Sequence, residues 1–385
     1  MFMSLNNGHK MSISEQTKIR RFDLDWLRVI LIFMVFLHHV AMPFNGDKFH
    51  IMNSDSSKFL DDLMVFFEQF RLPLLFLISG VGTVLASSKR TSFQYFKERS
   101  KRLVLPLVFG VFFIVPPQIY IEHIANYSDY FDLYPEAFTN FEMNHLWFLE
   151  TLYMLSLFAI PVMIFLKSSY SNSIILKFES FTAKKYGLLS MVILLILSNY
   201  FFRPNGETGQ NDFSKFMYHF YFFFMGILIA SGKQIWTNIK IQRRLHFHAF
   251  TLITFLFYSY YYMPRVTLTF LSQETKWIIW HVLCQSLAWV SILTVVGYGQ
   301  VYLSKSYKYL SVLNEGIYPF YIFHQTSIIL CAYFIVQWDL GIFMKLLILG
   351  ISSFILTVIL YRFLVYPFNI VRPFFGMKQK RRKIL

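Results

Sequence analysis

Arg28 and His39 stand eleven residues apart in the stretch RFDLDWLRVILIFMVFLHHVAMPF, Arg21 to Phe44. At about 100° per residue, an eleven-residue step returns to within roughly 20° of the same helical face and advances roughly 16 Å. One face of one helix then carries a guanidinium near one end and an imidazole near the other. His38 points about 80° away, which makes His39 the candidate. A guanidinium grips phosphate through a planar fork and keeps its charge. An imidazole with a pKa of about 6.5 takes a proton from a hydroxyl near neutral pH, or carries an acyl group as a nucleophile. The plain alternative is an Arg28 that snorkels to headgroups, with the histidines at the opposite interface.

The same chemistry recurs further along. Arg99 and Arg102 lie one helical turn apart, a spacing that suits a diphosphate and equally suits simple topology marking. Joined to Arg28, they describe a dock for an anionic head whose long thin arm reaches His39, and acyl coenzyme A has that shape. His324 falls about 20 Å into its helix if that helix starts near Ser311, too deep for snorkelling. Arg71 reads as an interface anchor or as a charge lining the substrate site. His145 and Trp147 read as an aromatic belt or as acceptor-binding residues. Glu122, Glu150 and Glu315 fall near span ends, where they pair with histidines or face water. His219, His246, His248 and His281 read as structural.

The elements that must hold these groups are membrane helices. The chain has 385 residues, 56% hydrophobic and 20% aromatic, with a mean hydropathy of +0.46. That is more apolar surface than a soluble protein of this length hides. Apolar runs recur near 24–44, 62–86, 103–121, 146–166, 186–202, 216–231, 247–263, 277–303, 312–336 and 341–366, predicting an all-α bundle of about ten spans. Segments sharing a face with the N-terminus hold 26 Lys and Arg against 6 on the other face; both termini are therefore expected in the cytoplasm. The same clustering between spans argues against nucleic acid as the reason for a net charge of +15. The first run is long and carries Asp25 and Arg28, so despite the Arg20-Arg21 pair it reads as a retained span rather than a cleaved signal. The expected organisation is a disordered cytoplasmic tail over 1–20, a membrane domain over 21–370 and a basic cytoplasmic tail over 371–385. Cys284 and Cys331 lie inside apolar runs and offer neither a disulfide framework nor a zinc spacing; no metal is expected. The loop over 122–144 is the longest on the outer side and is acidic.

Several stretches together resemble the acyltransferase-3 family of integral membrane O-acyltransferases. They are DWLR with Arg28 and His39, RLPLLFLISGVG from Arg71 to Gly82, Arg99 and Arg102 before LVLPL, and VPPQIY from Val115 to Tyr120. HLWFLETL from His145, GIYPFYIFHQ ending at Gln325 and VRPFFGMK from Val371 to Lys378 complete the set. DWLR, VPPQIY and the FHQ ending resemble its periplasmic-glucan succinyltransferase branch. The resemblance implies a bacterial inner-membrane enzyme with a cytoplasmic acyl-CoA donor, acetyl-CoA or succinyl-CoA. The acceptor it implies is a hydroxyl of an extracytoplasmic glycan. By position it makes His39 the catalytic histidine with Arg28 its partner, Arg99 and Arg102 the cytoplasmic arginine motif, and His324 the late aromatic-His motif. Some relatives carry a fused outer esterase-like domain that this sequence lacks, so acceptor choice is expected to rest on short outer loops or another protein. The competing expectation is a proton-coupled transporter of a glycan or small metabolite, with Arg28, Arg71, His39 and His324 as an ion relay.

Overall fold

The computed structural model describes residues 20–380 apart from 89, 140 and 204–211. The tail expected over 1–20 thus lies outside the described residues except for Arg20, as does the basic tail beyond 380. The described residues form helices and no strand. The principal helices are α1 (Phe22–Asn45), α2 (Lys58–Ser87), α3 (Ser92–Phe113), α4 (Trp147–Leu166), α5 (Tyr170–Ala183) and α6 (Val192–Phe201). They continue with α7 (Asp212–Ser231), α8 (Arg243–Tyr261), α9 (Gln273–Tyr302), α10 (Lys308–Ile335) and α11 (Ile342–Leu360).

Each of the ten apolar runs contains helix, but they are not equivalent. Among the described residues, seven helical segments are long and apolar enough to cross a membrane. The run at 186–202 is the short second arm, Gly187–Phe201, of a pair bent by 110° against α5. Counting that pair gives eight. The runs at 247–263 and 312–336 form α8 and α10, which are diluted by polar side chains. In α10 the buried ones are His324, Gln325, Thr326 and Ser327, and helices facing a polar interior lose apolar character in this way.

Packing is tightest where α2 crosses α7. A Cβ built on Gly80 would lie 2.0 Å from the Phe223 carbonyl oxygen, and one on Gly226 would lie 2.0 Å from that of Leu77. Two glycines facing each other's backbone bring helices closer than any side chain permits, which is how membrane helices associate without a hydrophobic driving force. Around this crossing lie the fully buried Leu74, Phe76, Leu77, Phe222 and Trp289. The Trp289 indole N–H donates to the Leu188 carbonyl at 2.8 Å, giving its polar edge a partner in the core.

Two irregular segments shape the site. Pro116 and Pro117 bring no N–H to the ladder after α3. The amides of Ile114 and Val115 both turn back to Gly110, and Gln118 donates to Val115, so the Ile114 carbonyl accepts the Thr326 hydroxyl at 2.8 Å instead. The VPPQIY stretch thereby ties the end of α3 to α10. The second is the chain after α11, which folds back on the bundle. Arg372 is 3% exposed, ion-paired with Glu315 and donating to the carbonyls of Lys378 at 2.8 Å and Tyr366 at 3.2 Å. Phe375 stacks on Phe323 with ring centroids 4.7 Å apart, and Gly376 makes the reversal at φ +66°. The first half of the expected basic tail is therefore docked structure.

Candidate active site

α1 lies against α2, α10 and α11, and its inward face brings His39 to α10. His39 Nδ1 and His324 Nε2 are 2.8 Å apart. The other nitrogen of His324, Nδ1, is hydrogen-bonded to the Tyr321 carbonyl one turn back. A carbonyl only accepts, so in neutral rings His324 holds its proton on Nδ1 and offers Nε2 as an acceptor. His39 then donates from Nδ1, and its Nε2 remains a bare lone pair. The result is a relay from Tyr321 carbonyl to His324 to His39, ending in a base. His324 is 1% exposed, whereas His39 keeps accessible surface and has Phe49 parallel to its ring.

His145 supports this arrangement from the start of α4. Its Nε2 donates to the Ile322 carbonyl at 3.0 Å, its own carbonyl accepts the Tyr321 hydroxyl at 2.5 Å, and its ring stands perpendicular to that of His324 at 5.2 Å. The residue before it, Asn144, adopts φ +42°, a left-handed conformation asparagine tolerates better than most. Its side-chain amide donates to Gln118 at 3.1 Å.

A buried polar network adjoins the relay. Gln325, next to His324, donates to Gln118 at 3.2 Å and lies 3.1 Å from His50 Nε2, while His50 Nδ1 pairs with Glu122. Gln118, wholly buried, passes the chain to Thr326 at 2.7 Å. Of these residues, Gln118 lies within VPPQIY and Gln325 ends GIYPFYIFHQ; the immediate succession His324-Gln325 is the signal the sequence offers for them. In the loop beyond, Tyr127 donates to Glu136 at 2.7 Å, and that bond pushes its phenol up to about 12.

The arginines gather at the opposite end of α1. Arg28 pairs with Asp25 at 3.5 Å and has Arg102 and Arg99 as electrostatic neighbours. Arg99 donates to Thr83 at 3.2 Å; the Tyr318 hydroxyl donates to the Arg102 carbonyl at 2.9 Å. The Arg28 and Arg102 side chains remain 38% and 53% exposed, so both are open to an anion. Beside them, Arg90, Lys101, Arg102 and Lys378 line a cavity of about 350 Å³ that also contains Glu98. Arg28 does not touch His39; roughly 16 Å of α1 separates the guanidinium end from the imidazole end.

Two expected site residues lie elsewhere. Trp147 packs on His219 at 5.4 Å, which itself stacks on Phe76 at 4.4 Å. Arg71 is 7% exposed and faces, with His38, a separate cavity between α1, α2 and α11. Among the described residues, no group of three His, Cys, Asp or Glu is placed to hold a metal ion.

Comparison with known proteins agrees with the motifs. The chain is similar to the glucans biosynthesis protein C of Escherichia coli strains K12, SMS-3-5 and O6:K15:H31, at 23% identity over 183 residues in each case. The match covers 46% of this chain and 46% of each relative, about half their length. No solved structure matches. The family model for an acyltransferase domain matches residues 21–362, a span that contains the relay, the arginine cluster and the polar network, and the chain therefore belongs to the acyltransferase-3 family of membrane proteins.

Proposed function

We propose that this protein is a ten-span inner-membrane O-acyltransferase with cytoplasmic termini, moving an acetyl or succinyl group from cytoplasmic acyl-CoA to a hydroxyl of an extracytoplasmic glycan. The observation that carries the reading is the His39–His324–Tyr321 relay, because it leaves one basic nitrogen in a protected site. His39 Nε2 takes the proton as the acceptor oxygen attacks the thioester carbonyl. The tetrahedral centre collapses, the carbon–sulfur bond breaks, and the same nitrogen returns the proton to the departing thiolate. His324 accepts from His39 Nδ1 throughout and steadies the transient imidazolium, as the third member of a hydrolase triad does for its histidine. Arg28, Arg99 and Arg102 neutralise the donor's phosphates. His145 and the Gln118–Gln325 network border the acceptor side, with Trp147 at the first position of α4. The name of the similar Escherichia coli proteins supports a glucan as acceptor.

The test is purified protein in nanodiscs, given radiolabelled acetyl-CoA or succinyl-CoA beside His39→Ala. Saturable binding with slow CoA release that disappears in the variant is expected, and the donor that binds names the acyl group. Folded protein that binds neither donor would overturn the reading in favour of a transporter, which liposome flux assays then examine.

A further inference from the structure

Three separate parts of the chain meet at the cavity of about 350 Å³ beside the arginine cluster, a volume within the range of small-molecule sites. Arg90 comes from the short link before α3, Lys101 and Arg102 from α3 itself, and Pro373, Met377 and Lys378 from the segment docked after α11. Basic residues that only mark topology need to lie on one side of the membrane, not to converge on one cavity. Lys378 is held there by its own segment. Arg372 Nε donates to the Lys378 carbonyl at 2.8 Å, and the chain reverses at Gly376, where a Cβ would collide with the Tyr318 ring. The Tyr318 hydroxyl in turn donates to the Arg102 carbonyl at 2.9 Å, which keys the segment to the turn of α3 that carries Arg102.

Four cations line the cavity against one carboxylate. Glu98 pairs with Arg90 at 2.5 Å and stands 3.9 Å from Arg102. Lys101 and Lys378 make no ion pair among the described residues, so two ammonium groups face the cavity uncompensated. At about 100° per residue, Arg102 falls between Glu98 and Arg99 around α3. It therefore belongs both to this cavity and to the cluster with Arg28. Acyl coenzyme A has phosphates of two kinds, a diphosphate bridge and a monoester on the ribose 3′ oxygen, and a monoester carries about −1.5 to −2 charge at pH 7. The planar forks of Arg28, Arg99 and Arg102 suit the bridge, and compact ammonium groups suit the monoester as point charges. Pro373 and Met377 add an apolar wall beside the lysines, against which a flat base packs.

We propose that this cavity holds the nucleotide end of the donor, with Lys101 and Lys378 on its ribose 3′-phosphate, so that the segment docked after α11 selects coenzyme A over donors lacking that phosphate. The inference rests on the acyl-CoA reading of the function and is independent of which acyl group is carried.

Calorimetric titration of full-length protein in phosphatidylcholine nanodiscs with CoA and with 3′-dephospho-CoA tests it. Wild type is expected to bind CoA at least about tenfold more tightly. Lys378→Gln should bring the two ligands within about threefold by weakening CoA alone, and Lys378→Arg should restore most of the difference. Lys101→Gln should act as Lys378→Gln does and serves as the second variant should the first lose its thermal transition. Equal binding of both ligands by wild type overturns the proposal and leaves the acyl-CoA reading standing, as does a preference that survives both substitutions. Binding of neither ligand overturns the proposal together with that reading. Nanodiscs containing phosphatidylglycerol separate a lipid headgroup from the donor: a preference that they abolish assigns the cavity to lipid and also overturns the proposal.

Discussion

His39 and His38 are neighbours in sequence and opposites in surroundings. His39 meets a histidine 2.8 Å away, and His38 meets an apolar cavity and an arginine. His39→Ala should reduce transfer by about 10²–10⁴-fold, the range for loss of a general base, measured as label reaching acceptor; His38→Ala should leave kcat within a few-fold. His324→Ala keeps the base but frees its tautomer, so kcat should fall by about 10²-fold or more with donor affinity unchanged. Replacing Arg99 and Arg102 together by Gln removes charge-assisted bonds of about 1.5–3 kcal/mol each, which should raise the donor's Kd at least about tenfold while single-turnover chemistry at saturation persists. Unaltered affinity would leave these arginines as topology markers. That His39 and His38 face different surroundings was legible in a single helix, because helical angle alone separates them. The relay behind His39 was not, since its second member lies 285 residues away and its third is a main-chain oxygen.

At the scale of elements, glycine spacing decides how near the helices stand. Gly80 and Gly226 each have a backbone carbonyl where a methyl would go, whereas Gly82 has nothing within 4 Å. Gly80→Ala and Gly226→Ala should each destabilise by about 1–3 kcal/mol through overpacking, visible as a lower thermal midpoint in detergent. Gly82→Ala should hold or raise that midpoint, because alanine is the better helix former by about 1 kcal/mol. The stretch LISGVG announced a helix in the sequence but not which glycine was indispensable; that depends on a partner 143 residues further along the chain. The positions of helices followed from apolar runs, and where that reading fell short the cause is visible. Gly187–Phe201 is too short to cross unaided, and α10 carries its polar residues inward around His324. Hydropathy averages a helix over its circumference, so a span with one polar face and a half-span against a bend look alike to it.

For the whole molecule, the arginine cluster and the relay lie toward opposite ends of α1, and the charge count supports the proposal that the arginine end faces the cytoplasm. With the native cysteines replaced, Ser128→Cys should react with a membrane-impermeant thiol reagent in intact cells, and Ser306→Cys only after permeabilisation. The reverse pattern would invert the proposed topology and with it the direction of transfer. The docked segment after α11 bears on the same axis, for Arg372 and Phe375 brace α10 through Glu315 and Phe323, the latter adjoining His324. Arg372→Ala removes the guanidinium shared by Glu315, itself 40% exposed, and by the carbonyls of Tyr366 and Lys378; it should loosen α10 at a cost of about 1–3 kcal/mol, lowering kcat and thermal midpoint together.

The last member of the relay has a consequence for genetics. Because the Tyr321 contribution to His324 comes from the peptide carbonyl, every amino acid placed at position 321 supplies the same atom, and a saturation scan there reports on the phenol's bond to His145 and the ring's packing against Phe148 and His324, not on that oxygen. A component of the proposed reaction centre is thus shielded from point mutation and erased from any comparison of side chains. Chemical synthesis can reach it: replacing the amide between residues 321 and 322 by an ester weakens that carbonyl as an acceptor while leaving every side chain in place, and should depress turnover in proportion.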